Sequence, residues 1–225
     1  MRERETPKAV GWKAWGLMAL LFLSLALAQS PQEILSRMVR NLDAPWQAEV
    51  RGEIQGPGGK EEFRARVYAI SRQGLFRIEY LKPGSLEGNF TVITDKEVWN
   101  YLYLTNQLII SPKEKAQVSG LGFNPALLGN AQAMAERLDL RLLGRVSTPQ
   151  GPAYRLLGQP KPGEALGFRE VELWILEEDP RPVRFIFRGE GGQVLGDLQV
   201  VAFQRANLTP AGLKRYPKDA QVVRR

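Results

Sequence analysis

The chain has 225 residues, 44% of them hydrophobic and 24% charged, which suits one folded globular domain. It contains no cysteine and no histidine. That excludes disulfides, thiol nucleophiles, Cys/His zinc sites, a Ser-His-Asp triad and a lipidated N-terminal cysteine. Lysine and arginine outnumber aspartate and glutamate by 31 to 24, giving a net charge of +7 and a pI near 9.8. Such a balance favours anionic partners such as phospholipid head groups, cell-wall polymers or nucleic acid. The alternative is a solvated basic surface, because no run of five or more basic residues occurs.

The N-terminus reads as an export address. Arg2, Arg4, Lys8 and Lys13 precede an almost wholly apolar stretch from Ala14 to Leu25, and Ala26-Leu27-Ala28 has the small-x-small form of a cleavage site. The pattern predicts a signal peptide cut between Ala28 and Gln29 and a mature protein in the periplasm. The apolar run is shorter than the ~20 residues a membrane-spanning helix needs. An uncleaved membrane anchor is the alternative. Removal of residues 1–28 would leave 197 residues with a net charge of +5.

Ser30-Pro31-Gln32-Glu33 predicts a helix start, with Ser30 able to cap, Pro31 at the first position and Glu33 completing a capping box. Ile34, Leu35, Met38, Val39 and Leu42 mark one apolar stripe, and Asp43-Ala44-Pro45 ends it. Two long alternating strands follow from Trp46 to Ser71, turned by Gly56-Pro57-Gly58-Gly59. After Arg72-Gln73-Gly74 comes a four-strand meander between Leu75 and Pro112. Its turns are Lys82-Pro83-Gly84-Ser85, Asp95-Lys96 and Thr105-Asn106-Gln107.

Beyond Pro112 the strand signals stop. Asn124 and Pro125 open a short helix carrying Leu127 and Leu128. Gly129-Asn130 separates it from a second helix lined by Ala131, Met134, Ala135 and Leu138. Strands resume over 139–146, 153–157, 168–177, 182–188 and 194–204. In the fourth of these, Val183, Phe185 and Phe187 share one face. The densest carboxylate cluster, Glu177-Glu178-Asp179, precedes Pro180 in a turn and lacks catalytic partners, so no enzyme is expected.

Arg72, Leu75-Phe76-Arg77, Tyr80, Pro83, Val92-Ile93, Asp95, Val98-Trp99 and Tyr101, in this order and spacing, resemble the LolA/LolB-type lipoprotein-carrier family. The leading helix and the Leu208-to-Val223 tail extend the resemblance over nearly the whole mature chain. It implies an α+β fold in a single domain, residues 29–225. About eleven antiparallel strands would form an incomplete, half-open barrel, with the first helix and the short helices of 124–138 at its mouth. It further implies a monomeric periplasmic carrier that shields acyl chains of lipoproteins or lipids on their way to the outer membrane. Inner- and outer-membrane partner proteins are implied too; no cofactor, metal or nucleic acid is. A lipid-sensing regulatory module of an envelope-stress system is the alternative.

On this resemblance, Phe76, Ile78, Tyr80, Trp99, Tyr101, Leu127, Leu128, Met134, Leu138, Val183, Phe185 and Phe187 line an apolar cavity. Arg72 takes the place of an arginine that latches the lid, although Gln73 follows it where the family has proline. Read without the resemblance, the same apolar face is equally a filled core, and Arg72 equally a solvent-facing turn residue.

Overall fold

The computed structural model of the chain describes residues 29–56, 58–113, 134 and 136–225. Helix α1 spans Pro31–Asn41. Proline at its start fits the fixed φ of the first position, and Glu33 in the first turn and Arg40 in the last agree with the helix dipole. Its buried residues, Ile34, Leu35 and Met38, fall on one side, as the stripe predicts.

Strands β1 (Trp46–Gly56), β2 (Gly59–Ile70), β3 (Leu75–Lys82), β4 (Phe90–Ile93), β5 (Glu97–Leu102) and β6 (Gln107–Pro112) form the first half. The second half holds β7 (Leu138–Thr148), β8 (Gly151–Pro160), β9 (Glu170–Leu176), β10 (Pro182–Arg188) and β11 (Val194–Arg205). A four-residue helix α2 (Pro210–Leu213) and a last strand β12 (Gln221–Arg224) end the chain. All of the strands join one sheet in the order β12-β6-β5-β4-β3-β2-β1-β11-β10-β9-β8-β7. Neither edge strand, β7 or β12, pairs with the other, so the sheet stays open as a half-open barrel with helices.

The two halves meet at one seam, β1 against β11. Gly52 sits there opposite Leu198, where a Cβ would lie 1.9 Å from the Asp197 carbonyl oxygen. Only a residue without a side chain allows the strands to close at this point.

Twelve strands occur among the described residues where about eleven are predicted. The addition is β12, which runs parallel to β6 from Gln221 opposite Gln107 to Arg224 opposite Ile110. It is too short and too polar on one side to declare itself by alternation. Of the helical segment predicted over 124–138, Asn124 to Asn130, Ala131 and Ala135 lie outside the described residues. Met134 is helical, whereas Leu138 is the first residue of β7.

The tail that β12 ends is docked on the outer face of β3–β6. Leu213, with Leu208 and Ala220, packs against Phe90, Val92, Tyr101, Leu108 and Ile110. Arg77 fixes it in place. Its guanidinium donates to the carbonyls of Leu213 (3.1 Å) and Arg215 (2.7 Å), pairs with Glu79 at 2.7 Å, and lies 3.8 Å over the Phe90 ring. These carbonyls close α2, so one cation serves as helix cap and cation–π partner together.

Two outcomes are expected in urea unfolding. Arg77→Met is expected to cost about 2–3 kcal/mol, since hydrogen bonds from a charged donor are lost while their acceptors stay partly buried. Gly52→Ala is expected to cost about 1–3 kcal/mol through overpacking at the seam.

Candidate functional site

Strand alternation places one apolar row from each strand on the inner face of the barrel. Trp46, Ala48 and Val50 of β1 continue into Phe63, Ala65 and Val67 of β2, then Phe76, Ile78 and Tyr80 of β3. Across the seam the same surface runs through Leu198 and Val200 to Phe185 and Phe187, then Val171, Leu173 and Ile175. The rings interlock: Phe63 meets Tyr80 edge-on at 6.3 Å, Phe168 meets Phe187 at 5.4 Å, and Phe185 stacks parallel to Phe187.

Helix α1 closes this wall. Ile34, Leu35, Met38 and Leu42 belong to the same cluster and are 1–4% exposed. Behind the end of the helix a cavity of about 30 Å³ remains, lined by Leu42, Trp46, Ala48, Val50, Val67, Pro182, Phe185, Val200 and Phe203. Ligand sites for small molecules typically hold ~300–1,000 Å³. This cavity therefore has room for about one water, and the helix fills the rest of the space beside the wall. A groove of about 430 Å³ on the other face of β1, β2 and β11 is lined mainly by polar side chains (Gln47, Glu49, Arg66, Tyr68, Gln204).

The plug is fastened by polar side chains at its C-terminal end. Asn41 donates to Asp179 Oδ1 (2.7 Å) and to the Pro180 carbonyl (3.1 Å) in the β9–β10 turn. Arg205, at the end of β11, donates to the Asn41 carbonyl, to Asn41 Oδ1 at 3.0 Å and to the Ala44 carbonyl at 3.3 Å. Arg37 donates to the Glu177 carbonyl at 2.9 Å. Arg72 reaches Asp43 just past the helix at 3.1 Å, and its side chain is 73% exposed. A pair so exposed contributes about 0–1 kcal/mol. The knot around Asn41 makes more bonds, although most of them are exposed as well.

At the β3–β5 side the inner face turns polar. The Tyr80 hydroxyl lies 3.1 Å from Thr91 Oγ1, which donates to Asn100 Oδ1 at 2.9 Å. Tyr80, Thr91 and Asn100 are all buried. Burial pushes the Tyr80 hydroxyl up to about 12, the Thr91 bond offsetting it only in part. Among the described residues, no group of three or more His, Cys, Asp or Glu side chains could hold a metal ion, and no helix is long and apolar enough to cross a membrane.

No protein-family model and no curated protein sequence matches the chain. Solved structures do. The crystal structure of an uncharacterized conserved protein from Thermus thermophilus is 55% identical and superposes with a TM-score of 0.68, covering 88% of this chain and 100% of that one. This chain belongs to the same family as that protein. The crystal structure of a LolA superfamily protein from Nitrosomonas europaea, 14% identical, superposes with a TM-score of 0.50 over 84% of this chain and 99% of that one. The fold is LolA-like.

Within this LolA-like barrel, Phe76, Ile78, Tyr80, Met134, Leu138, Phe185 and Phe187 share the inner cluster. Three predicted lining residues do not. Trp99 pairs with Val92 and Tyr101 with Phe90, which puts both on the outer face, where Trp99 meets Tyr216 and Tyr101 stacks on Phe90 at 4.8 Å. Both faces of β5 are covered, so alternation within it does not say which row points inward. Val183 is displaced by a register shift between Pro182 and Arg184 and packs outside with Ala153 and Leu176. Leu127, Leu128 and Ala28 lie outside the described residues.

The knot of Asn41, Asp179 and Arg205 is absent from the sequence reading. Asp179 and Arg205 stand 138 and 164 positions from Asn41, and no local pattern joins them.

The burial of Phe185 and Phe187 makes a stability prediction. Phe187→Ala is expected to cost about 3–5 kcal/mol, as for a packed aromatic core residue, and Phe185→Ala, beside the small cavity, to fall at the lower end of that range. Tyr80 makes a second. The unfolded chain releases this proton near pH 10 and the folded one near 12, so its contribution is intact below pH 10 and disappears as pH rises through 12. Comparing alkaline unfolding of the wild type with Tyr80→Phe should show the extra loss only in the wild type.

Proposed function

We propose that this LolA-like barrel is a periplasmic carrier that holds the acyl chains of lipoproteins or lipids against its inner wall and moves them towards the outer membrane. One observation carries the proposal. A continuous apolar wall drawn from both halves of the sheet is covered by an 11-residue helix that is tied down by side-chain hydrogen bonds and not by strand pairing. Such a cover can leave with the sheet intact.

The magnitudes support reversible exchange. Exposing Ile34, Leu35, Met38 and Leu42 costs about 1.5–3 kcal/mol for each side chain. An acyl chain gains ~0.8 kcal/mol per buried CH₂, so roughly a dozen methylenes compensate. Cargo therefore replaces the helix at nearly constant free energy, which lets it be both taken up and released. The carrier acts without a cofactor and as a monomer, and it carries out no chemistry on its cargo. Residues 1–28 direct export and are removed, leaving Gln29 as the first residue.

A fluorescent fatty acyl probe should bind the purified mature protein and gain emission on transfer from water. Asn41→Ala unties the helix and should speed uptake several-fold, while near-ultraviolet circular dichroism of the sheet aromatics stays native. A wild-type protein that takes up no acyl probe would end the carrier reading. Intact-mass measurement of the exported protein checks the start at Gln29.

A further inference from the structure

We infer that Arg181 and Arg205 form a clamp for the anionic head group of the cargo, so that the barrel selects acidic amphiphiles. The inference rests on the carrier reading and adds to it the class of lipid. Its first support is position. Phe203 lines the small apolar cavity behind the plug, and the Arg181 and Arg205 guanidiniums lie 5.2 and 5.6 Å from the centre of its ring. Two cations thus border the place where the apolar wall meets solvent, the arrangement an amphiphile with a negative head group matches.

The second support is what these cations now bind. Every hydrogen bond of Arg205 goes to an uncharged oxygen: the carbonyls of Asn41 and Ala44 and the Asn41 side chain. Among the described residues it has no ion pair. One of those oxygens, the Asn41 main-chain carbonyl, ends α1, where the helix dipole is negative. The helix end stands in for an anion. Arg181 holds Asp179 at 2.7 Å and Gln150 at 3.2 Å, and Asp179 is in turn tied to Asn41. When α1 leaves the wall, Arg205 loses the Asn41 oxygens, while Arg181 keeps Asp179 and Gln150 and can share its guanidinium with a second anion.

A phosphate or carboxylate accepts charge-assisted hydrogen bonds from guanidinium that are roughly twice as strong as those to neutral carbonyls. Occupation of the clamp therefore compensates the loss of the helix cap and couples head-group capture to opening. Nearby, Arg145 pairs with Glu177 and Arg181 with Asp179, Arg37 donates to the Glu177 carbonyl, and Glu178 lies between the two carboxylates in the chain; Arg205 has no carboxylate partner among the described residues.

The test compares phosphatidylglycerol with phosphatidylcholine of identical acyl chains, both presented to the mature protein in dilute detergent. The anionic lipid is expected to bind about tenfold more tightly, the equivalent of one charge-assisted contact. Arg181→Gln and Arg205→Gln should each shrink that ratio, and Arg205→Lys should retain more of it than Arg205→Gln. If the arginines act only by fastening α1, both lipids change together and the ratio stands, which overturns the clamp. Equal binding of the two lipids by the wild type also overturns it and leaves the carrier intact. Binding of neither lipid removes the carrier reading and the clamp with it. Inorganic phosphate in large excess is expected to leave bound lipid in place; displacement by phosphate would mean a site for free anions and would overturn the inference.

Discussion

An open sheet with an apolar inner face must have that face covered, and the rest of this structure depends on how. A closed barrel of small girth fills itself with its own side chains. Here β7 and β12 remain apart, and the inner wall is completed by an element that belongs to no strand ladder. Helix α1 and the Leu42 that follows it supply four apolar side chains, so the cost of removing them is set by side-chain burial and a few hydrogen bonds. No backbone ladder has to break. That difference separates a cover from a core.

The opposite face explains why the wall can outlast the cover. On β8–β11 an alternating charged layer spans the strands. Arg155 and Trp174 both donate to Glu172 Oε1, at 2.7 and 2.6 Å, and Arg184 grips Asp197 with two bonds of 2.8 and 2.6 Å while lying 4.6 Å over the Trp174 ring. Burial alone would raise the Glu172 carboxyl, but the bonds from Arg155 and Trp174 outweigh it and hold it below the ordinary carboxylate range. It stays ionised through neutral pH. On the other half the docked tail braces the sheet with apolar contacts and Arg77. Both halves are thus supported from the outside as well as by the inner cluster.

Much of this is legible in the chain. Period-two alternation and Gly- or Asn-bearing turns locate the strands from β1 to β11, and the stripe from Ile34 to Leu42 locates the plug, because each signal is local and repeats. The order of motifs from Arg72 to Tyr101 points to the half-open barrel. What alternation does not supply is absolute facing. In β5 both rows are covered, so the inward assignment of Trp99 and Tyr101 fails; in β10 one irregular residue moves Val183 out of the row of Phe185 and Phe187. Strand β12 escapes notice because a four-residue parallel pairing leaves almost no periodic trace. The site suffers more than the fold, since Asn41, Asp179 and Arg205 meet only through the closure of the sheet.

Position also decides which arginine matters. Arg72 stands out by its place in a motif, yet its contact with Asp43 is largely solvated and correspondingly weak. Arg205 belongs to no motif, and it engages the end of α1 through three oxygens beside an apolar cavity. Under the proposed carrier function, a latch has to be strong enough to keep water from the wall and weak enough to yield to cargo. Hydrogen bonds to neutral carbonyls meet both conditions, because each contributes modestly in place and each can be replaced by a better acceptor. A carboxylate in the same position would bind Arg205 more tightly but would lose the donor to Asp179 and meet its like charge. Asn41 is suited to its place by offering both signs of dipole: its amide nitrogen donates to Asp179 and its amide oxygen accepts from Arg205.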